Sequence, residues 1–243
     1  MKVVVIGGGI SGRAITGALL DQGATVEMLS RSTGFDVLRD DAVMRLDDAD
    51  AVIEATGRFS TSRRRATKFF AGSTRAIAHA ARAHGAKHIL LSIVNCELPA
   101  VQGYGYFAGK AAQERVAREV SPDLTVVRTT QWFEFAGQTL ERMSVGPIAV
   151  VPRMLIQPVA LDTVAHVIAE VAVGRRNSKA INIAGPEVMT LSEMTQRIRP
   201  TKLIRLPLVL PGSTWKAIHE GALLPGKDVE LVGPKFTEWL TAR

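Results

Sequence analysis

Tyr106 and Lys110 stand four residues apart in Tyr106-Phe107-Ala108-Gly109-Lys110, a spacing that puts a phenol and an ammonium on one helical face. A neighbouring ammonium lowers a phenol's pKa from about 10 and readies it to exchange a proton near neutrality. Ser92, at the end of the preceding predicted strand, is placed to hydrogen-bond the same substrate oxygen. Near the start of the chain, Gly7-Gly8-Gly9-Ile10-Ser11-Gly12 carries the pattern G-x-G-x-x-G directly after an apolar run. One glycine permits the tight turn, one lets a pyrophosphate approach the backbone, and one lets helix and strand pack closely. The helix N-terminus at Ile10-Ser11-Gly12 offers free N–H groups and a partial positive charge to phosphates. Together these residues describe a dinucleotide site with a proton donor.

The second predicted strand ends Met28-Leu29-Ser30-Arg31-Ser32. A reader of NAD places an acid here, about twenty residues past the glycines, to bind the ribose 2′-hydroxyl. This chain has Arg31 between Ser30 and Ser32, and a guanidinium pairs with a 2′-phosphate. NADP(H) is therefore expected ahead of NAD(H). The run Ala51–Ala55 passes into Thr56-Gly57. Small residues at Ala55, Thr56 and Gly57 let the adenine–ribose half of a cofactor lie flat on the sheet edge.

The elements that must position these groups are read from periodicity. Short β-branched runs at Lys2–Ile6, Thr25–Leu29, Ala51–Ala55, His88–Ser92, Leu124–Arg128 and Ala180–Ala184 predict strands. Alanine-rich stretches at Gly12–Gln22, Thr67–His84, Phe107–Val120, Leu161–Val173 and Leu191–Ile198 predict helices. The alternation implies βαβ units and an α/β fold, a Rossmann-type doubly wound parallel sheet with a small C-terminal substrate-side lobe. Gly23 and Gly85 fall where helices end, the usual place for a left-handed cap. The segment 31–50 is too short for helix, strand and helix, so a stunted third strand is expected near Phe35–Leu38. The Pro- and Gly-punctuated tail from Pro200 to Pro234 predicts loops with short helices over one end of the sheet. Residues 1–243 are expected to form a single domain, with segments 130–155 and 200–243 covering the substrate side.

Composition narrows the function classes. The hydrophobic fraction of 47% suits a globular core, and one cysteine, Cys96, suits a reducing cytoplasm and a buried apolar role. No signal peptide or membrane span is read at the start, because Val3-Val4-Val5-Ile6 stops at once in glycines. The net charge of +7 invites an anionic partner. Apart from Arg63-Arg64-Arg65, read as a solvated helix start, the basic residues are scattered and without interleaved aromatics, which speaks against nucleic acid. Histidines 79, 84, 88, 166 and 219 show no metal-ligand spacing and read as surface or loop residues, and no G-x-S-x-G elbow occurs.

With strand, glycine turn, Ser92 and Tyr106/Lys110 in order, the chain resembles the short-chain dehydrogenase/reductase superfamily, and more narrowly its atypical, NmrA-like branch. Leu91-Ser92-Ile93-Val94, then Gly105-Tyr106-Phe107 and Lys110-Ala111-Ala112-Gln113-Glu114, look like that branch's active-helix region. Arg128-Thr129-Thr130-Gln131-Trp132-Phe133-Glu134-Phe135 is similar to its strand exit beside the nicotinamide, which implies cofactor contacts at Thr130 and Phe133. Ile156-Gln157-Pro158-Val159, Asp162-Thr163-Val164-Ala165, Ala184-Gly185-Pro186-Glu187 and Phe236-Thr237-Glu238-Trp239-Leu240 continue the likeness. The branch's glycine turn is usually one residue longer than Gly7–Gly12. The resemblance implies an NADPH-dependent reductase of a small carbonyl or quinone-like molecule. In it Lys110 grips the nicotinamide ribose, Tyr106 donates the proton and Ser92 orients the carbonyl. The branch also holds members that bind NADP as regulators, so a non-catalytic NADP(H) sensor is the second expectation. A small-molecule substrate, no nucleic acid, no membrane, and a monomer or weak homodimer are expected.

Overall fold

The computed structural model describes residues 1–198 and 203–242. Its first unit is β1 (Lys2–Ile6), α1 (Ile10–Asp21) and β2 (Thr25–Leu29). Then come α2 (Ala42–Arg45), β3 (Ala51–Glu54), α3 (Arg63–His84), β4 (Lys87–Ile93), α4 (Gly105–Val120) and β5 (Leu124–Thr129). The remainder comprises α5 (Glu134–Met143), β6 (Ser144–Val145), β7 (Ile148–Pro152), β8 (Leu155–Ile156), α6 (Leu161–Ala172) and β9 (Ala180–Ala184). It closes with β10 (Met189–Thr190), α7 (Leu191–Ile198), β11 (Ile204–Leu208), α8 (Ser213–His219), β12 (Glu230–Leu231) and α9 (Phe236–Thr241).

Among the described residues seven strands form one parallel sheet in the order β12-β9-β5-β4-β3-β1-β2. A sheet covered on both faces reads as continuous apolar runs, and Val3, Val4, Val5 and Ile6 are all buried. Alternation sends Val3, Val5, Ile53, Ile89 and Leu91 to the face covered by α1 and α6. Val4, Ile6 and Val52 go to the other face, under α2 and α3. Strand order reverses about β1, so a crevice lies outside the carboxyl ends of β1 and β3, where ligands of such sheets bind. Gly23 and Gly85 adopt φ of +77° and +65°, as the helix-end reading requires.

The expected stunted strand at Phe35–Leu38 does not form. Short polar side chains capture this segment's backbone locally instead of leaving it to a ladder. The Ser30 N–H donates to Thr33 Oγ1, that of Asp36 to Asp40 Oδ2, and those of Val43 and Met44 to Asp41 Oδ1. Phe35 and Val37 are buried as a plug beside Ile77 of α3. The tail also departs from a loop reading, because β11 pairs in parallel with β7, and β6 completes a three-stranded sheet. Pro207 within β11 disguises it as irregular chain. Residues 200–202, where the tail was read to begin, lie outside the described residues, as does 243.

A second apolar cluster joins Cys96, Val101 and Phe107, from the carboxyl edge of the sheet, to Phe133, Leu140, Val151, Ile218, Phe236 and Trp239. Asn95, at φ +62°, clamps the two together by donating to the carbonyls of Ala222 and Leu224. Arg63, Arg64 and Arg65 are exposed in the first turn of α3, whose N-cap hydroxyl of Ser62 accepts from Arg65 N–H. Among the described residues no helix is long and apolar enough to cross a membrane.

Candidate active site

The glycine turn is wedged where strand order reverses. Gly7 N–H donates to Leu29 O at the end of β2, and a Cβ on Gly7, at φ +136°, would collide with the carbonyl of Ala55 past β3. A Cβ on Gly12 would collide with the carbonyl of Gly7, and one on Gly8 would lie 2.7 Å from Ser30 Oγ. Gly9 differs, because its missing side chain faces open space. It is the N-cap of α1 and supplies no side-chain acceptor, and the first turn holds no acid. The N–H groups of Ile10, Ser11 and Gly12 therefore have no intrahelical partner and point into the crevice end of α1. A cradle with backbone donors, no negative charge and one open glycine fits a pyrophosphate.

The residues expected on the 2′ side of a cofactor also meet beside this cradle. Ser30 and Ser32 hydroxyls lie 2.8 Å apart against Gly8, with Arg31 exposed between them in a 3-10 turn. Arg13, not singled out from the sequence, donates through Nη1 to Gly8 O at 2.8 Å. Its position directly after the last glycine of the motif was the available signal. Ala55 N–H donates to Ile6 O, and Thr56 turns its hydroxyl inward to Glu54 Oε1 at 3.0 Å.

The other half of the site begins at α4. Gly105 N–H donates to Thr61 O, and a Cβ there would lie 2.6 Å from that oxygen, so only glycine lets the helix start against the β3–α3 loop. Helices antiparallel to their strands begin at the carboxyl edge, which puts Tyr106, in the first turn, on the same edge as the glycine turn. Its half-buried ring packs edge-on to Phe70 and Phe107 at 5.6 and 6.4 Å. Lys110 is 3% exposed. Its ammonium donates to Leu91 O at 2.6 Å and to Gln113 Oε1, and it lies 5.3 Å from the Phe70 ring centre.

One expectation is corrected here. Burial pushes the Tyr106 hydroxyl up to about 12, with Tyr104 adding to the rise and Arg142 opposing it, and Lys110 takes no part. Both groups meet Phe70, and two of the ammonium's three hydrogens go to the internal acceptors Leu91 O and Gln113 Oε1. Burial likewise lowers the Lys110 pKa, against the opposing influences of Glu54, Cys96 and Glu114.

Ser92 is buried, its Oγ 3.8 Å from Cys96 Sγ. Cys96 lies 3.6 Å from Glu114, which Arg128 holds through Nε at 2.8 Å and Nη2 at 2.6 Å. Burial pushes the Cys96 thiol up to about 12, so it stays protonated at neutral pH. Thr130 gives its hydroxyl to Gln157 O, and the Phe133 ring is buried against Phe236 and Trp239 at 5.0 and 5.2 Å. Phe133 is 1% exposed and its backbone N–H donates to Val159 O, so the structure does not open this residue to the ligand contact expected of it.

Sequence reading missed several residues at this edge and in the sheet beneath it. His88 is fully buried in β4 and not a surface residue, and it faces Glu54 of β3, also fully buried. The lone acid of the apolar run Ala51–Ala55 was a signal for it. Tyr104 contacts Phe59 and Trp215, with ring centres at 6.4 and 5.2 Å, and Arg142 lies 5.9 Å from the Phe59 ring. Nothing in its sequence neighbourhood marks Arg142, a cation near the end of α5.

No protein-family model and no curated protein matches the chain. Solved structures do. The dTDP-4-dehydrorhamnose reductase of Bacillus anthracis, in complex with NADP, is 14% identical with a TM-score of 0.72, over 98% of this chain and 96% of that one. The UDP-N-acetylglucosamine 4-epimerase of Bacillus cereus is 16% identical with a TM-score of 0.71, over 100% and 94%. The NADPH-dependent quinone oxidoreductase of Escherichia coli, in complex with NADPH, is 13% identical with a TM-score of 0.70, over 99% of both chains. This chain has their fold. The Rossmann-type reading therefore stands, and at such identities the likeness is one of fold alone.

Proposed function

We propose that the protein is an NADPH-dependent reductase of a small carbonyl or quinone-like molecule. One observation carries the reading. The glycine cradle and the Tyr106 turn open on one carboxyl edge of a single parallel sheet, so a dinucleotide lying in the first reaches the second. Similar folds that hold NADP or NADPH, among them a quinone oxidoreductase, add support.

The cofactor, when bound, supplies a hydride to the carbonyl carbon. The N–H groups of Ile10, Ser11 and Gly12 hold the pyrophosphate, and Arg31, Ser30 and Ser32 take the 2′-phosphate. Lys110 takes a ribose hydroxyl, and the chain leaving β5 toward α5 lies at the nicotinamide end. Tyr106 gives its proton to the oxygen on which negative charge builds. Ser92 orients that oxygen after turning from Cys96. With a hydroxyl pKa of about 12, Tyr106 stays protonated across the working range and serves as an acid. Arg142 is the cation whose field favours the phenolate it leaves behind. The protein is expected to act as a monomer or weak homodimer in the cytoplasm, on a small molecule and not on nucleic acid. The test is a screen of quinones, aldehydes and ketones by NADPH absorbance. Oxidation of NADPH with one class and not with NADH supports the reading, and silence across all classes overturns it.

A second reading, a sensor of NADP(H) without turnover, is favoured by a specific observation. Ser92 and Lys110 are both engaged internally and the Tyr106 hydroxyl is held high. Tight NADPH binding without any turnover would select it.

A further inference from the structure

Glu54 is a carboxylate at a strand position where its neighbours in β3 are apolar, and it is fully buried on the α3/α4 face of the sheet. Its Oε1 accepts from Thr74 Oγ1 at 2.8 Å, from Thr56 Oγ1 at 3.0 Å and from Gln113 Nε2 at 2.6 Å. Its Oε2 faces Nε2 of the equally buried His88 at 3.3 Å. The other ring nitrogen, Nδ1, lies 2.7 Å from Ser121 Oγ. Gln113, also buried, takes the Lys110 ammonium on its own Oε1.

This chain of groups has one polarity. A carboxylate only accepts and an ammonium only donates. The amide between them must therefore turn N–H toward Glu54 and C=O toward Lys110, and a flipped amide would break both bonds. Gln113 is thus an oriented dipole locked between two opposite charges. Isolated burial of either charge would be prohibitive, and the link through the amide compensates both. We infer that Glu54, acting through Gln113, is the positioning residue that sets the place and charge of Lys110. The inference rests on the reading of Lys110 as a cofactor-ribose group only for its consequence in catalysis.

The surroundings of Lys110 leave Glu54 as its principal counter-charge. Glu54 reaches it from β3, the Cys96 thiol from the β4–α4 loop, and Glu114 from its own helix, with Glu54 the largest of the three opposing influences. From α3 it meets the uncharged Phe70 ring, and from β4 the Leu91 carbonyl. Glu54 itself is held below the usual carboxylate range although burial works the other way, chiefly by His88 and Thr74, with Lys110 contributing. Thr56 bonds both Glu54 and, at 3.3 Å, Gln113, so the sheet edge expected to meet the adenine–ribose half shares this network.

The experiment titrates Lys110 directly in the unliganded protein, through the 13Cε resonance of 13C-lysine-labelled material assigned with Lys110→Arg. Glu54→Gln keeps the shape and removes the charge, and the Lys110 pKa should fall by about one unit or more. Glu54→Asp keeps the charge and should retain most of the wild-type value. Gln113→Leu breaks the link while leaving Glu54 in place, and should shift Lys110 in the same direction. It is read alone if Glu54→Gln does not fold. An unchanged Lys110 titration in whichever of these two variants folds overturns the inference. If the protein turns substrate over, the alkaline limb of kcat should move down in Glu54→Gln by the same shift as the resonance. A protein that turns nothing over but shows the Lys110 shift refutes the reductase reading and leaves the positioning role standing.

Discussion

Around Gly7–Gly12 the protein removes side chains, whereas around Lys110 it crowds them. At the turn, backbone groups meet backbone groups: Gly12 against Gly7, Gly7 against Ala55, with Gly9 open to the crevice. One turn into α4, a buried ammonium, a buried carboxylate, an amide and an imidazole sit between two helices and two strands. Both regions serve one edge of one sheet. The first tolerates no added atom, and its demands are steric and local. The second tolerates no lost charge, and its demands are electrostatic and long-range. A lesion in the first should abolish binding, and lesions in the second should alter rates, pKa values and acid stability.

The largest effect expected is that of Gly12→Ala, whose Cβ would collide with the Gly7 carbonyl. Calorimetric titration should find no NADPH binding, and denaturation should show a loss of about 3 kcal/mol. Gly17→Ala is the matched control, because nothing lies near that Cβ within α1. It should keep binding and gain roughly 0.5–1 kcal/mol in helix propensity. Equal behaviour of the two variants would erase the steric half of the contrast.

Next comes Tyr106→Phe, which removes only a hydroxyl. Turnover of the best substrate should fall by about 10²–10⁴-fold, with NADPH affinity and thermal midpoint unchanged. Full activity would move the proton donor elsewhere on the edge. Because the hydroxyl is held up at about 12, no loss of rate below that pH should trace to its ionisation. A limb near pH 8 that vanished in Tyr106→Phe would contradict this.

Glu114→Gln leaves Arg128, 12% exposed, without its carboxylate, and stability should drop by about 3 kcal/mol at neutral pH. Glu54 and Glu114 are both held below the ordinary carboxylate range. The sign follows: their contribution is complete above the unfolded value of about 4.3 and is lost as pH falls through the lower folded values. Urea midpoints from pH 7 down to pH 3 should fall steeply in the wild type and less so in Glu114→Gln. Parallel curves would remove Glu114 from the acid-sensitive set. The smallest effect is Arg31→Ala, a single exposed guanidinium, which should weaken NADPH by about tenfold to a hundredfold and leave NADH alone. Equal weakening of both cofactors would take the 2′-phosphate away from Arg31.

The sequence by itself determined the parts whose causes are local. Four apolar β-branched residues followed by the glycine pattern specify strand, turn and helix, because the steric demand lies within a dozen residues. Periodicity placed the strands of the sheet other than β12, which lies in the tail read as loops, and the four-residue spacing placed Tyr106 and Lys110 on one helix. Tertiary structure alone decided what those side chains meet. Aspartates 36, 40 and 41 took the backbone bonds that a third strand would have used. Burial set the direction of the Tyr106 pKa, and α5 brought Arg142 near it. Glu54 and Gln113, whose bond spans 59 positions, met only because β3 and α4 pack on one face of the sheet. A charge's energy depends on everything within several ångströms of it, and chain packing, not spacing along the sequence, chooses those neighbours.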